Sequence, residues 1–495
     1  MSNCKACRVC AGVLGSIVIL FVAVAAYVLI RFVPDRAESY ADRDLRFKYG
    51  STGGERASGF PYWIWAALPQ VCPDKLPGPG YASLGLIYEP GKDLPIGVSK
   101  RHVTGMDRVF LNCAVCHTST VRATPQSAPR IVLGMPANGF DLMRFKEFFF
   151  ACAADARFTP EVIIPQIQTL RAQRGLRGLS WLDRQLVYPA AIYIMRDRLL
   201  MLKPRFAFSE HQPPWGPGRV DTFNSAKAIF NFPWDKVAPE EMIGTADFPS
   251  IWNQGPRRGM QLHWDGNCSR VEERNRSAAF GTGTTPPTVD EASLKAIEND
   301  LLDFKPPAYA YPINAALAAR GAPIYQRYCA QCHGKSGSDF SGEYVGKVAP
   351  IAEIGTDRWR LDSYTYTLAV NQGSLYAGYD QYRFRHFRKT YGYANMPLDG
   401  IWLRAPYLHN GSVPTLHDLL MPAAQRPKVF YRGYDVYDPV KVGFISTVAA
   451  EGARHYFRFD TALPGNGNQG HDGEQFGTRL PASDKSALLE YLKTF

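Results

Sequence analysis

The chain has 495 residues, 46% hydrophobic and 20% charged, a length and balance that can bury the cores of two or three domains and exclude a disordered or low-complexity polymer. Its net charge of +11 comes without a basic run, which argues against nucleic acid and reads as a solvated surface balance. The same charge would also suit an acidic redox partner or anionic lipid headgroups.

Residues 11–30 contain no charge. As a helix, twenty such residues span about 30 Å, the thickness of a bilayer's hydrocarbon core. Lys5 and Arg8 precede the segment, as the positive-inside rule expects, although Arg31 and Arg36 follow it. Ala23-Val24-Ala25 resembles a signal cleavage site, but the apolar run continues to Ile30, so the segment reads as an uncleaved anchor. Cys4, Cys7 and Cys10 sit ahead of the segment, where three thiols at i, i+3, i+6 could bind metal but read as inessential.

A Gly/Pro-rich approach over residues 50–100 leads to Cys113-Ala114-Val115-Cys116-His117, and the pattern returns as Cys329-Ala330-Gln331-Cys332-His333. Cys-x-x-Cys-His is the attachment signature of c-type haem: two thiols add across the vinyl groups, and the adjacent imidazole becomes the proximal iron ligand. Zinc would need two further ligands, and a redox dithiol has no use for the histidine. The expected cofactors are two covalently bound haem c, with a bridging calcium ion left open. Because c-type haem is attached outside the cytoplasm, most of the chain is expected in the periplasm, held at the inner membrane by its single N-terminal helix.

Gly105 and Gly321 each stand eight residues before a motif, with Phe110 and Tyr325 between. This short repeat predicts that a helix delivers each haem motif. Further helices are predicted near 137–156, 160–175 and 180–203. Ser293 is read as the N-cap of a helix through Leu294, Ile297, Leu301 and Leu302, ended before Pro306-Pro307, and Ser483 as the cap of a C-terminal helix through Leu492. The fold expected is mainly α: two cytochrome c-like haem domains with long loops, preceded by one transmembrane helix. The expected divisions are 1–33, 34–305 and 306–495, with a linker around 305–315. Of Cys72, Cys152 and Cys268, two could pair in an oxidising compartment.

Gln261-Leu-His-Trp264-Asp-Gly266, followed by Val271-Glu-Glu-Arg274, resembles the Trp-Asp-Gly and Leu-Glu-Glu-Gln stretch of bacterial di-haem cytochrome c peroxidases. Arg404-Ala-Pro-Tyr-Leu-His409-Asn-Gly-Ser-Val413 resembles a second motif of that superfamily. With Gly218–Asp221, Ile251–Gln254 and Gly465–His471, the set looks closest to its rubber-oxygenase-like branch. The resemblance covers roughly residues 100–495 and leaves out the anchor.

The resemblance implies that Trp264 lies between the haems as an electron conduit. In the peroxidases an acidic residue twenty positions after that tryptophan assists peroxide cleavage; here the position is Thr284, with no acid in residues 278–284. Phe280 instead matches the apolar distal cover of the rubber-oxygenase branch. His471 matches that branch's second ligand for the C-terminal haem, with His409, His386 and Met396 as rivals. By residue type, Arg219 and Arg404 could pair with haem propionates or form structural ion pairs. The basic and aromatic stretch 382–391 could face a propionate edge, a partner protein or solvent.

Three functions follow. The first is a redox enzyme, oxygenase-like or peroxidase-like, that activates O₂ or peroxide at the N-terminal haem while the C-terminal haem transfers electrons. An apolar organic substrate suits the oxygenase resemblance, and the anchor argues against polymeric rubber. The alternative is a non-catalytic electron-transfer cytochrome, working with a redox partner protein or inside a larger membrane complex. A redox sensor acting through surface aromatics is a third option.

Overall fold

A computed structural model describes the backbone of residues 5–495 and the side chains from residue 10 onward. The uncharged N-terminal run forms α1 (Lys5–Phe32), one exposed helix. Its stretch Cys10–Phe32 is long and apolar enough to cross a membrane by length and composition, a test that a signal sequence also passes. Of the first three cysteines, Cys4 lies outside the described residues and Cys10 is exposed on α1.

The aromatic-rich run Tyr62–Val71 forms α2, which is buried on most sides. Strands β1 (Val98–Val103) and β2 (Met106–Leu111) then pair antiparallel, with Val98 opposite Leu111 and Val103 opposite Met106. Thr104 and Gly105 both take positive φ (52° and 77°), as a two-residue hairpin turn requires. A second hairpin, β3 (Thr118–Val121) and β4 (Arg130–Leu133), follows the first Cys-x-x-Cys-His. Helices α3 (Leu142–Ala153), α4 (Pro160–Gln173) and α5 (Tyr188–Leu202) occupy the expected regions, α5 entered through a π-type turn at Asp183–Val187. They pack with α2 around Trp63, Trp65, Phe148, Phe149 and Ile192. The Cys72–Cys152 disulfide ties the end of α2 to α3, and Cys268 is left buried and free.

Helices α6 (Val271–Gly281) and α7 (Glu291–Leu301) lead to residues 304–314, which have no regular structure. Helix α8 (Ala315–Tyr328) precedes the second haem motif. After a hairpin of β5 (Val429–Arg432) and β6 (Phe457–Asp460), α9 (Ala482–Leu492) returns to lie against α8.

The expectation of a mainly α chain is therefore corrected: about 43% of residues are helical and 12% in strands, spread over several small sheets, which makes the fold mixed α/β. Most of these strands have two to four residues, too short for a period of two to show, and they pair through hairpins and loops rather than through local pattern. The expected helix before the first motif is corrected for the same reason. That motif is delivered by β2, and Asn112 caps a single 3₁₀ turn at Cys113–Val115 by accepting from the Ala114 N–H at 2.9 Å. Only the second motif follows a helix. The matched glycines do different work: Gly105 closes a hairpin, whereas Gly321 sits in α8 where α9 crosses it. The proposed caps also shift. Asp290, not Ser293, caps α7 by accepting from the Ser293 N–H at 3.1 Å, and α9 starts after Pro481, leaving Ser483 in its first turn.

A Cβ at Gly321 would lie 2.1 Å from the Ala487 carbonyl oxygen. In a free helix Gly→Ala would gain about 1 kcal/mol; here overpacking reverses the sign. Gly321→Ala is expected to lose about 1–3 kcal/mol and to lower the melting temperature followed by circular dichroism. An unchanged or raised melting temperature would refute this packing.

Candidate di-haem site

Each Cys-x-x-Cys-His motif lines its own large cavity, about 1130 Å³ for the first and 1250 Å³ for the second. Both exceed the usual small-ligand pocket. In the first, the His117 Nδ1–H donates to the Pro249 carbonyl at 2.8 Å. In the second, the His333 Nδ1–H donates to the Met396 carbonyl at 2.7 Å. Each bond fixes the tautomer and leaves Nε2 with its lone pair free, as an iron ligand needs. Burial pushes His117 down to about 4 and lowers His333 as well, so both rings are neutral at pH 7.

The four thiols are held in their neutral form. Burial pushes Cys113 up to about 11 and Cys329 up to about 12, and raises Cys116 and Cys332 too. Among the described residues no three His, Cys, Asp or Glu side chains group as a metal site, so neither motif has the further ligands a zinc knuckle requires.

His471 lines the second cavity with its ring centre 6.3 Å from that of His333. Two imidazoles bonded at about 2 Å to opposite faces of one metal have ring centres about 6 Å apart, so the pair fits a six-coordinate haem. Burial pushes His471 down to about 3, its ring packs against Phe476 at 4.6 Å, and its backbone takes a positive φ of 47°. The rivals are engaged elsewhere. His409 stacks on Tyr393 at 4.2 Å, with Nε2–H donating at 3.1 Å to the Tyr393 hydroxyl, whose own hydrogen goes to the Asp357 carbonyl at 3.0 Å. His386 pairs with Glu273 at 2.6 Å and lines neither cavity, and Met396 supplies the carbonyl that holds His333. Among the described residues, no aromatic ring stands against His117 as His471 stands against His333.

Trp264 lines both cavities, and its indole N–H donates to the Asp247 carbonyl at 2.8 Å. Asp247 is two residues from Pro249, which holds His117. On the other side the Trp264 carbonyl accepts from the Ala394 N–H at 2.8 Å, two residues from Met396, which holds His333. Phe280 lines the first cavity from α6, packed against Tyr376, Phe384 and Tyr382 at 4.8, 5.8 and 6.2 Å. Thr284 lines neither cavity and shares a 3.2 Å hydrogen bond with Thr52.

The two arginines part company. Arg404 lines the second cavity, where it donates to the Pro397 carbonyl at 2.8 Å and pairs with Asp399 at 2.6 Å, leaving Nε without a partner. Arg219 lines neither cavity: it is buried on the Phe459 ring at 5.0 Å and lies 3.6 Å from Asp247.

Three lining residues were not singled out from the sequence. Arg274 borders both cavities, and among the described residues its guanidinium has neither a carboxylate within ion-pair reach nor a partner for Nε. Burial pulls it down to about 10, so it stays charged at neutral pH, and an anionic edge in either cavity would satisfy it. Its signal was the departure at the last position of Val271-Glu-Glu-Arg274, where the resembling motif has glutamine. His263 also borders both cavities, with Nδ1–H donating to Asn267 Oδ1 at 2.7 Å, and Glu298 lines the first cavity. Apolar residues flanking Glu298 on an amphipathic helix hid it as an ordinary surface acid.

Apolar walls, a free imidazole nitrogen, two free thiols and buried arginines with an unpartnered Nε make each cavity fit haem c. Residues 392–431, which carry Met396, Arg404 and His409, match the RoxA-like, cytochrome c-like family. The uncharacterized protein y4iM of Sinorhizobium fredii is 31% identical over 329 residues, covering 58% of this chain and 72% of that protein. A second uncharacterized protein of the same organism, y4iJ, is 28% identical over 88% of each chain. The chain thus belongs to the family of y4iM and carries a RoxA-like, cytochrome c-like domain.

Proposed function

We propose that the chain is a membrane-anchored di-haem c-type cytochrome of the periplasmic side, working as a redox enzyme. Its N-terminal haem, in a unit of residues 34–305, takes O₂ or peroxide. Its C-terminal haem, in residues 306–495, passes electrons to or from a redox partner protein. The observation that carries this reading is the asymmetry of the two cavities: His471 faces His333 at 6.3 Å, while His117 has no such counterpart among the described residues. A closed iron suits electron transfer, and an open one suits a small-molecule substrate.

When bound, haem supplies an iron able to hold a diatomic ligand and to exchange single electrons. The chain does the rest. The Pro249 and Met396 carbonyls hold the proximal rings, and Phe280 with its aromatic neighbours keeps water from the open side. Trp264 joins the two sites through one hydrogen bond to each side, and Arg274 and Arg404 offer counter-charges to carboxylates at the haem edge. Between the two oxidants, the chain favours O₂. Thr284 offers no acid where the peroxidases carry one; of the two carboxylates lining that cavity, Asp247 is held by Arg432 through contacts of 3.0 and 2.8 Å and Glu298 stands 3.5 Å from Lys295. The substrate that fits is an apolar organic molecule.

Resting protein examined by electron paramagnetic resonance is expected to give one high-spin and one low-spin haem; two low-spin haems would favour the electron-carrier reading. His471→Gly should turn the low-spin signal high-spin, whereas His386→Ala should leave both signals as they were. Changing Cys329 and Cys332 together to Ala should halve the covalent haem in a pyridine haemochrome assay. Phe280→Glu should raise peroxide turnover by up to about 100-fold, the low end of what a placed general acid–base supplies; no change would remove Phe280 from the distal face.

A further inference from the structure

We propose that residues 181–202 form a membrane-seated face through which the N-terminal cavity takes its substrate from the lipid phase. This deepens the enzyme reading and rests on α1 being a membrane anchor.

The end of α1 is fastened to this face. Arg31, in its last turn, is bonded to Asp183 at the start of the π-type turn before α5. Phe32 lies over the β1–β2 hairpin tip, where a Cβ on Gly105 would come within 2.6 Å of its ring. The π-type turn and the hairpin tip therefore sit where the chain would leave the bilayer.

The same surface is apolar and outward-facing. Trp181 is 68% exposed and Met201 69%, and Leu186, Tyr193 and Ile194 are exposed as well. Leu186, Ala190, Tyr193, Ile194 and Met201 recur at helical spacing on the side opposite the buried Tyr188, Ile192, Met195 and Leu199, with Asp197 as the acidic residue on the stripe. Soluble surfaces seldom present such a contiguous run without a partner. Between 171 and 205, eight Lys and Arg residues stand against two Asp. An aromatic and aliphatic stripe in a basic surround is the composition of an interfacial helix on anionic lipid. Continuity with the anchor makes the occupant the bilayer from which α1 emerges.

The cavity opens on this face. Ile194, Arg198 and Met201 line it while pointing outward from α5, and Thr104 and Met106 line it on either side of the glycine under Phe32. Phe230, 42% exposed, completes the mouth. An entrance bordered by lipid-facing side chains admits molecules dissolved in the bilayer. The substrate class is then a lipid-soluble organic molecule.

The test uses the full-length haem-loaded protein in liposomes containing anionic phospholipid and a bilayer-confined, diazirine-bearing long-chain alkane. After irradiation, adducts are mapped by mass spectrometry. Labelling is expected on residues 10–32, on 176–202, and on the buried cavity wall 142–153, with Ile194→Asp combined with Met201→Asp cutting the last two at least several-fold and sparing the first. Labelling of 10–32 alone would overturn the proposal, leaving the face to water or to a protein partner. Adducts on 176–202 with none on 142–153 would overturn the lipid entry route. Absence of label from 10–32 as well would instead refute the anchor reading.

Discussion

The structure depends on the way one tryptophan is suspended between two carbonyl-held histidines. Residues 247–249 offer two carbonyls in succession, one to the Trp264 indole at 2.8 Å and one to His117 at 2.8 Å. Residues 394–396 hold the other side, with the Ala394 N–H donating to the Trp264 carbonyl at 2.8 Å and the Met396 carbonyl accepting from His333 at 2.7 Å. Both proximal rings and the residue between them are therefore referred to two short segments. A shift in either segment would move a motif histidine and the tryptophan together, which is how relative position can be held across a gap that no helix spans.

Those segments are held in turn by buried charge. Asp247 accepts both nitrogens of the Arg432 guanidinium and lies 3.6 Å from Arg219. Asp399, fully buried, gathers Arg404 and Arg257, and Asp265 meets Arg360 at 3.3 Å. Removing one member of such a pair leaves an uncompensated charge inside, typically at a cost of about 3–5 kcal/mol. Arg219 thus has a structural role within this network. Arg274 differs from all of these, since it borders both cavities and among the described residues no carboxylate lies within ion-pair reach of it.

The two haem motifs share a chemistry and little else. One follows a strand and closes in a single 3₁₀ turn; the other follows a helix clamped by the last helix of the chain. Similar spacings of glycine and aromatic residues concealed this difference, because Gly105 and Gly321 look alike in a sequence. Their neighbours tell them apart: Thr104-Gly105 has the left-handed backbone of a hairpin, whereas Gly321 is helical and is needed for the approach of the Ala487 carbonyl. The cysteine pair shows the same limit. Three candidates were evident, but only the core that α2 and α3 share with α4 and α5 brings Cys72 to Cys152.

What the sequence by itself determined was everything whose chemistry is local: the two Cys-x-x-Cys-His motifs, the apolar N-terminal helix, and several long amphipathic helices. Each depends on residues within a turn or two, so spacing alone carries the information. Tertiary structure decided what depends on meetings between distant segments: the small sheets, the disulfide, the ring opposite His333 and the guanidinium groups beside the cavities. His471 lies 138 positions from His333, and nothing near either residue records that the chain returns to set their rings face to face. That distance is set by packing, and packing is a property of the folded chain.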